Sequence, residues 1–153
     1  MKERVTNMTN QTVVNELNQQ LADWNVLYTK LHNFHWNVKG ADFFTLHAKF
    51  EEFYNEAGAH VDEIAERILA IKGKPIATMK EFLATSNVEE ATGQETARDM
   101  VASIEKDFNA VSKHAEAVIQ AAEQAEDEST ADMFIALKAE LDKHTWMLAA
   151  YLG

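Results

Sequence analysis

Cysteine is absent from the 153-residue chain, which excludes disulfides, thiolate zinc sites and thiol nucleophiles and leaves a reducing compartment open. Proline occurs once and glycine five times, too little turn material for the frequent reversals of an all-β fold. No stretch approaches the roughly 18 apolar residues that would span a bilayer, and "MKERVTNMTN" lacks the apolar region of a secretory signal. Basic residues are also scarce: 14 Lys and Arg against 25 Asp and Glu leave a net charge of −11. Such a charge repels nucleic-acid phosphates and anionic lipid and favours cations, although acidity that only confers solubility is the plainer account of charge alone. A soluble, cytoplasmic protein without a membrane partner is expected.

What is abundant is helix-forming residues, with Ala, Leu, Glu, Gln and Lys dominating and 46% of the chain hydrophobic, enough for one core over residues 1–153. Residues 1–9 read as a short flexible tail. From about residue 10 to 38, Val14, Leu17, Leu21, Trp24, Tyr28, Leu31, His35 and Val38 alternate steps of three and four, the seam of an amphipathic helix. A second helix is expected over about 44–72, with Leu46, Phe50, Phe53, Ala57, Val61, Ile64, Ile68 and Ile71 as its seam and Gly73 and Pro75 as its stop. "ATMKEFLA" can form a short crossover helix, a third long helix covers about 94–124, and Ser129 or Thr130 can cap a fourth. The pattern predicts an all-α fold: a four-helix bundle with a long crossover carrying a short extra helix, the connectivity called ferritin-like.

Within "HWNVKGADFFTLHAKFEEFYNEAGAHVDEIAER", two histidines and several carboxylates fall where the helix should pack. On a helical wheel with His47 as the origin, Glu51, Asp62 and Glu66 all fall within about 100° of it and on the same side, a single stripe. The apolar seam lies to one side of that stripe, and Glu52, Glu56 and Glu63 lie to the other, on the face expected to be solvated. His47/Glu51 is open to reading as an ordinary i,i+4 surface pair, Asp62/Glu66 as an acidic flank and His35 as a core histidine. The second pair strains that account, because like charges four apart repel unless a cation compensates them. Imidazole and carboxylate without thiolate suit Fe, Zn or Mn, with the mixed set leaning towards iron. At about 1.5 Å per residue Glu51 and Asp62 lie roughly 16 Å apart, too far to share one ion. If both pairs serve one site, Asp62/Glu66 must meet His35/His47/Glu51 of another copy across a two-fold axis. The usual intrachain alternative is a Glu-x-x-His motif on each of two helices. Thr29, His32, Phe44, Ala57, Val111 and Leu141 precede the six histidines by three, so that motif does not occur.

"HWNVKGADFFTLHAKFEEF" followed by "VDEIAERILAIKGKP" resembles the Dps family of mini-ferritins, the DNA-binding proteins from starved cells, and its Gram-positive members in particular. Chain length, the long crossover and "DKHTWM" near the C-terminus agree with that resemblance. It implies a hollow homododecamer that oxidises Fe(II), preferably with hydrogen peroxide, and stores Fe(III) as mineral, protecting against oxidative damage. The family's ferroxidase ligands fall on His35, His47 and Glu51 of one subunit and on Asp62 and Glu66 of its two-fold mate. Many relatives have Asp where this chain has Glu51. Trp36 and Trp146 resemble tryptophans near that centre, where they intercept stray oxidising equivalents; the other reading makes them large core residues. Glu123, Glu128 and Asp132 correspond to an acidic iron-entry pore on the three-fold axes, or else form a solvated acidic loop. Non-specific DNA compaction, with a nucleoid-associated location, is the alternative function. The expected tail offers only Lys2 and Arg4 for it, and the chain stops at "AAYLG" without a basic extension.

Overall fold

A computed structural model describes residues 2–153, without the side chains of residues 4–9. Five helices follow one another: α1 Lys2–Asn37, α2 Phe43–Ala70, α3 Met79–Thr85, α4 Ala97–Gln124 and α5 Glu128–Leu152, with no strand among the described residues. The four long helices form the expected bundle and α3 is the crossover helix. Met1 of the expected tail lies outside the described residues; the helical backbone of α1 begins at Lys2 rather than near residue 10.

Short connections fold α1 onto α2 and α4 onto α5 as two antiparallel hairpins; α1 also packs on α4, joining the pairs, and on α3. Trp24, Phe34, Phe50, Phe108 and Phe134 fill the shared core. The seam residues of the first two helices are buried as predicted apart from half-buried Val61 and Ile71 and Tyr28. Tyr28 emerges to 39% exposure, where its ring meets His32 and Tyr54.

The crossover's backbone is satisfied by polar side chains on α1. Asn18 donates to the Lys74 carbonyl and accepts from the Ile76 N–H, and Gln19 donates to the Thr85 carbonyl. Buried Asp23 accepts from the Ser86 hydroxyl and the Asn87 N–H. Thr96 and Asp99 close a reciprocal capping box at the start of α4. At α5 the cap is Asp127, not Ser129 or Thr130: its carboxylate accepts from the Thr130 N–H and hydroxyl, so Thr130 is a buried donor to the cap.

Candidate metal centre

His35 ends α1 and His47 begins α2, and the short 38–42 connection sets them face to face. The rings stack at 3.7 Å with planes 14° apart. Each Nδ1 lies 2.7 Å from the other residue's backbone carbonyl oxygen. A carbonyl only accepts, so each Nδ1 must carry its proton, which leaves each Nε2 a lone pair for a ligand. Glu51 lies one turn along α2 from His47 and accepts the Tyr54 hydroxyl at 3.3 Å. Tyr54 stacks on His32 at 3.8 Å and meets His35 edge-on at 5.3 Å. Desolvation, then the Glu51 charge and hydrogen bond, push the Tyr54 phenol above its ordinary pKa, so it stays a donor to that carboxylate at neutral pH.

Asp62 and Glu66 are exposed on the distal half of α2, away from this trio. The chain therefore brings His35, His47 and Glu51 to one end of the helix flank and leaves the two remaining predicted ligands more than two turns beyond. Trp36 and Trp146 are 69% and 65% exposed, so the reading of either as a core residue is corrected: the tryptophan of the core is Trp24. Trp36 lies 5.3 Å from the His32 ring. Glu123, Glu128 and Asp132 are all exposed around the α4–α5 turn. Arg67 of α2 braces that turn, donating to Asp127 at 2.9 Å and to the Thr130 hydroxyl at 2.8 Å. Burial raises the Asp127 carboxyl pKa, but the Thr130 hydrogen bonds and the Arg67 charge outweigh it and hold it below the usual range.

A second grouping escaped the sequence argument. Glu56, expected to be solvated, accepts from His144 Nε2 of α5 at 2.8 Å, and Glu140 lies beside them. One ligand atom each from Glu56, Glu140 and His144 falls within 4.8 Å of the others. His60, one turn beyond Glu56, faces Glu140 at 3.9 Å. The signal in the sequence is a Glu-x3-His pair on each of α2 and α5, one residue longer than the Glu-x-x-His spacing. Burial raises the Glu140 carboxyl, reinforced by the Glu56 charge, whereas Glu56 is pulled down because His144 and His60 outweigh its burial. Burial keeps the His60 imidazole pKa low.

Four long helices with a crossover between the second and third, and His and Glu gathered on the helix flanks, define a ferritin-like protein, and a ferritin-like domain family matches residues 14–153. Within that class the chain belongs to the Dps family. It is 54% identical to DNA protection during starvation protein 2 of Bacillus anthracis over 144 residues, 94% of this chain and 99% of that one. A crystal structure of a Dps protein from Bacillus brevis superposes with a TM-score of 0.94 at 51% identity, covering 95% of this chain and 98% of that one. The Dps protein of Vibrio cholerae O1, described as a member of a broad superfamily of ferritin-like diiron-carboxylate proteins, superposes at 0.92 with 32% identity, covering 95% and 92% of the two chains.

Proposed function

We propose that this chain is a ferroxidase and iron-storage protein whose reaction centre is shared between copies, with His35, His47 and Glu51 of one subunit and Asp62 and Glu66 of the next binding Fe(II) as substrate. The observation that carries this reading is the crossed His35–His47 pair, whose protonated Nδ1 atoms are spent on backbone carbonyls while both Nε2 atoms stay free. Metal-binding imidazoles commonly hold that tautomer through such an anchor. A lone half-site of two neutral imidazoles and one carboxylate lacks charge for a cation that will become Fe(III). Two further carboxylates supply it and favour the oxidised product.

Hydrogen peroxide is the proposed oxidant: it takes one electron from each of two ferrous ions, its O–O bond breaks, and both oxygens leave at the oxidation level of water. The Fe(III) product hydrolyses, releases protons and collects as mineral inside a dodecameric, cytoplasmic shell. Trp36, whose ring lies 5.3 Å from that of His32, would give up an electron if oxidation strays. Exposed Phe44, Trp36 and Trp146 on the single chain support assembly, since isolated subunits rarely carry so much open aromatic surface. Twelve copies at −11 carry −132, which draws cations towards an opening ringed by Glu123, Glu128 and Asp132. DNA compaction has the net charge of −11 against it.

Stopped-flow oxidation of anaerobically loaded Fe(II) by peroxide tests the assignment. His47→Ala with Asp62→Ala should slow oxidation by roughly a hundredfold or more, since even the outer partners of metal ligands are worth about 10- to 100-fold. Oxidation at the parent rate would sink the assignment.

A further inference from the structure

The grouping on α2 and α5 uses neither the His35–His47 pair nor a second subunit. Counting about 100° per residue, Glu56 lies roughly 140° around α2 from Glu51, on the opposite flank of the helix. Its inner wall is aromatic: Trp24 lies 4.6 Å from the His60 ring, and Phe53 lies 4.9 Å from that of His144. Its outer side is polar and open, with the Glu56 and Glu140 side chains 35% and 42% exposed while those of His60 and His144 are 12% and 13% exposed. A cation can therefore arrive through the carboxylates and meet the imidazoles at the edge of the core.

The hydrogen-bond account of these residues does not close. His144 Nε2 reaches Glu56 at 2.8 Å and Glu140 only at 3.8 Å, and His60 Nε2 stands 3.9 Å from Glu140. On the other side of each ring, Nδ1 of both His60 and His144 is buried with no partner, so no hydrogen bond there fixes the tautomer and each ring can present its Nε2 lone pair to the carboxylate side. The two Nε2 atoms and two carboxylates set closely together share few protons among many lone pairs, and a central cation satisfies those atoms where hydrogen bonds do not. Ligand atoms around a divalent metal sit about 2.0–2.2 Å from it. Side-chain rotations of about 1 Å would draw Glu56, Glu140 and His144 onto one ion, because these atoms already lie within 4.8 Å of one another.

We propose that Glu56, Glu140 and His144, with His60 as a fourth donor, form a divalent transition-metal site inside each subunit, tying α2 of one hairpin to α5 of the other. Mixed imidazole and carboxylate donors without thiolate select Zn(II), Fe(II) or Co(II) over Ca(II) and Mg(II). Because the site joins the two hairpins, its occupancy stabilises the bundle by mass action.

The test uses Zn(II) with the assembled, metal-free protein, combining zinc-edge anomalous scattering from soaked crystals with equilibrium dialysis. Anomalous density should lie between Glu56, Glu140 and His144 in the parent and persist in His47→Ala/Asp62→Ala, which separates this site from the proposed ferroxidase centre whether or not that centre is correctly assigned. Zinc affinity at the site should fall roughly tenfold or more in Glu140→Gln, and the density should vanish in Glu56→Gln/Glu140→Gln. Both substitutions are isosteric and partly exposed, so the fold survives them. Absence of density at saturating zinc in the parent, or density unchanged in Glu56→Gln/Glu140→Gln, overturns the proposal.

Discussion

Lys30 and Asp107 form an ion pair 2.7 Å long between α1 and α4, with side chains only 4% and 11% exposed. Burial raises the Asp107 carboxyl pKa, and the Lys30 hydrogen bond and charge offset only part of that rise. A pair with that balance contributes little net stability but is costly to break singly. Lys30→Met should lose about 3–5 kcal/mol by leaving a lone buried carboxylate, and Lys30→Met with Asp107→Leu should recover most of it. Urea denaturation of the three proteins checks this, and equal losses for the single and double variants would contradict it. Legibility in the sequence divides along the same line between a residue's own helix and its neighbours. His35 and His47 were visible because each lies on a predictable face of its own helix. Glu56 falls on the expected solvated face because a helical wheel gives an angle and says nothing about which neighbour stands there; His144 lies 88 positions away. Tyr28 followed its seam but left the core, because His32 and Tyr54 supply an aromatic surface at the bundle's edge.

At the scale of the element, α2 ends ahead of the expected stop at Gly73 and Pro75, with Lys72 and Gly73 sharing the turn. Lys72 takes the left-handed conformation at φ 68°, while the Gly73 N–H closes the helix onto the Ile68 carbonyl at 2.8 Å. Gly73 is required by space: a Cβ there would lie 2.5 Å from Val14 Cγ2 and 2.9 Å from Ile68 Cγ2. Gly73→Ala should therefore cost about 1–3 kcal/mol through overpacking, whereas Lys72→Gly should stabilise by up to about 1 kcal/mol by relieving the left-handed residue. Thermal melts read both, and opposite signs are the decisive outcome. Glu126, at φ 57°, repeats the Lys72 arrangement at the end of α4. The helices themselves were legible because their periodicity is long and local; the α5 cap was not, since Asp127 is selected by Arg67 from another helix. That cap also sets a pH dependence. The folded Asp127 pKa is depressed, so its stabilisation is present above the unfolded carboxyl value, about 3.9, and is lost as pH falls through the folded value. The melting difference between the parent and Asp127→Asn should hold from about pH 7 to about pH 4 and shrink below it; a gap that widens in acid would contradict the assignment.

For the whole molecule, the half-site arrangement makes a prediction that no property of one chain can imitate. Assemblies of His47→Ala alone and of Asp62→Ala alone should both be inactive as peroxide-dependent ferroxidases. In an assembly mixed from equal amounts of the two, random pairing makes about half of the two-fold dimers heterodimers. One centre of each heterodimer then combines the intact imidazole half of the Asp62→Ala chain with the intact carboxylate half of the His47→Ala chain, and its other centre carries both lesions. Mixed assemblies should therefore recover about a quarter of the parental centres, whereas a site contained in one chain would recover none. Denaturing and reassembling the two variants together, then measuring iron oxidised per assembly, distinguishes these outcomes. A rate near zero, with dodecamers of parental size, would place all the ligands in one subunit and remove assembly from the conditions for activity. Recovery near one quarter would make the two-fold contact part of the reaction centre, so that substitutions at that contact lower activity through the distance between His47 and the partner's carboxylates even when every ligand is retained.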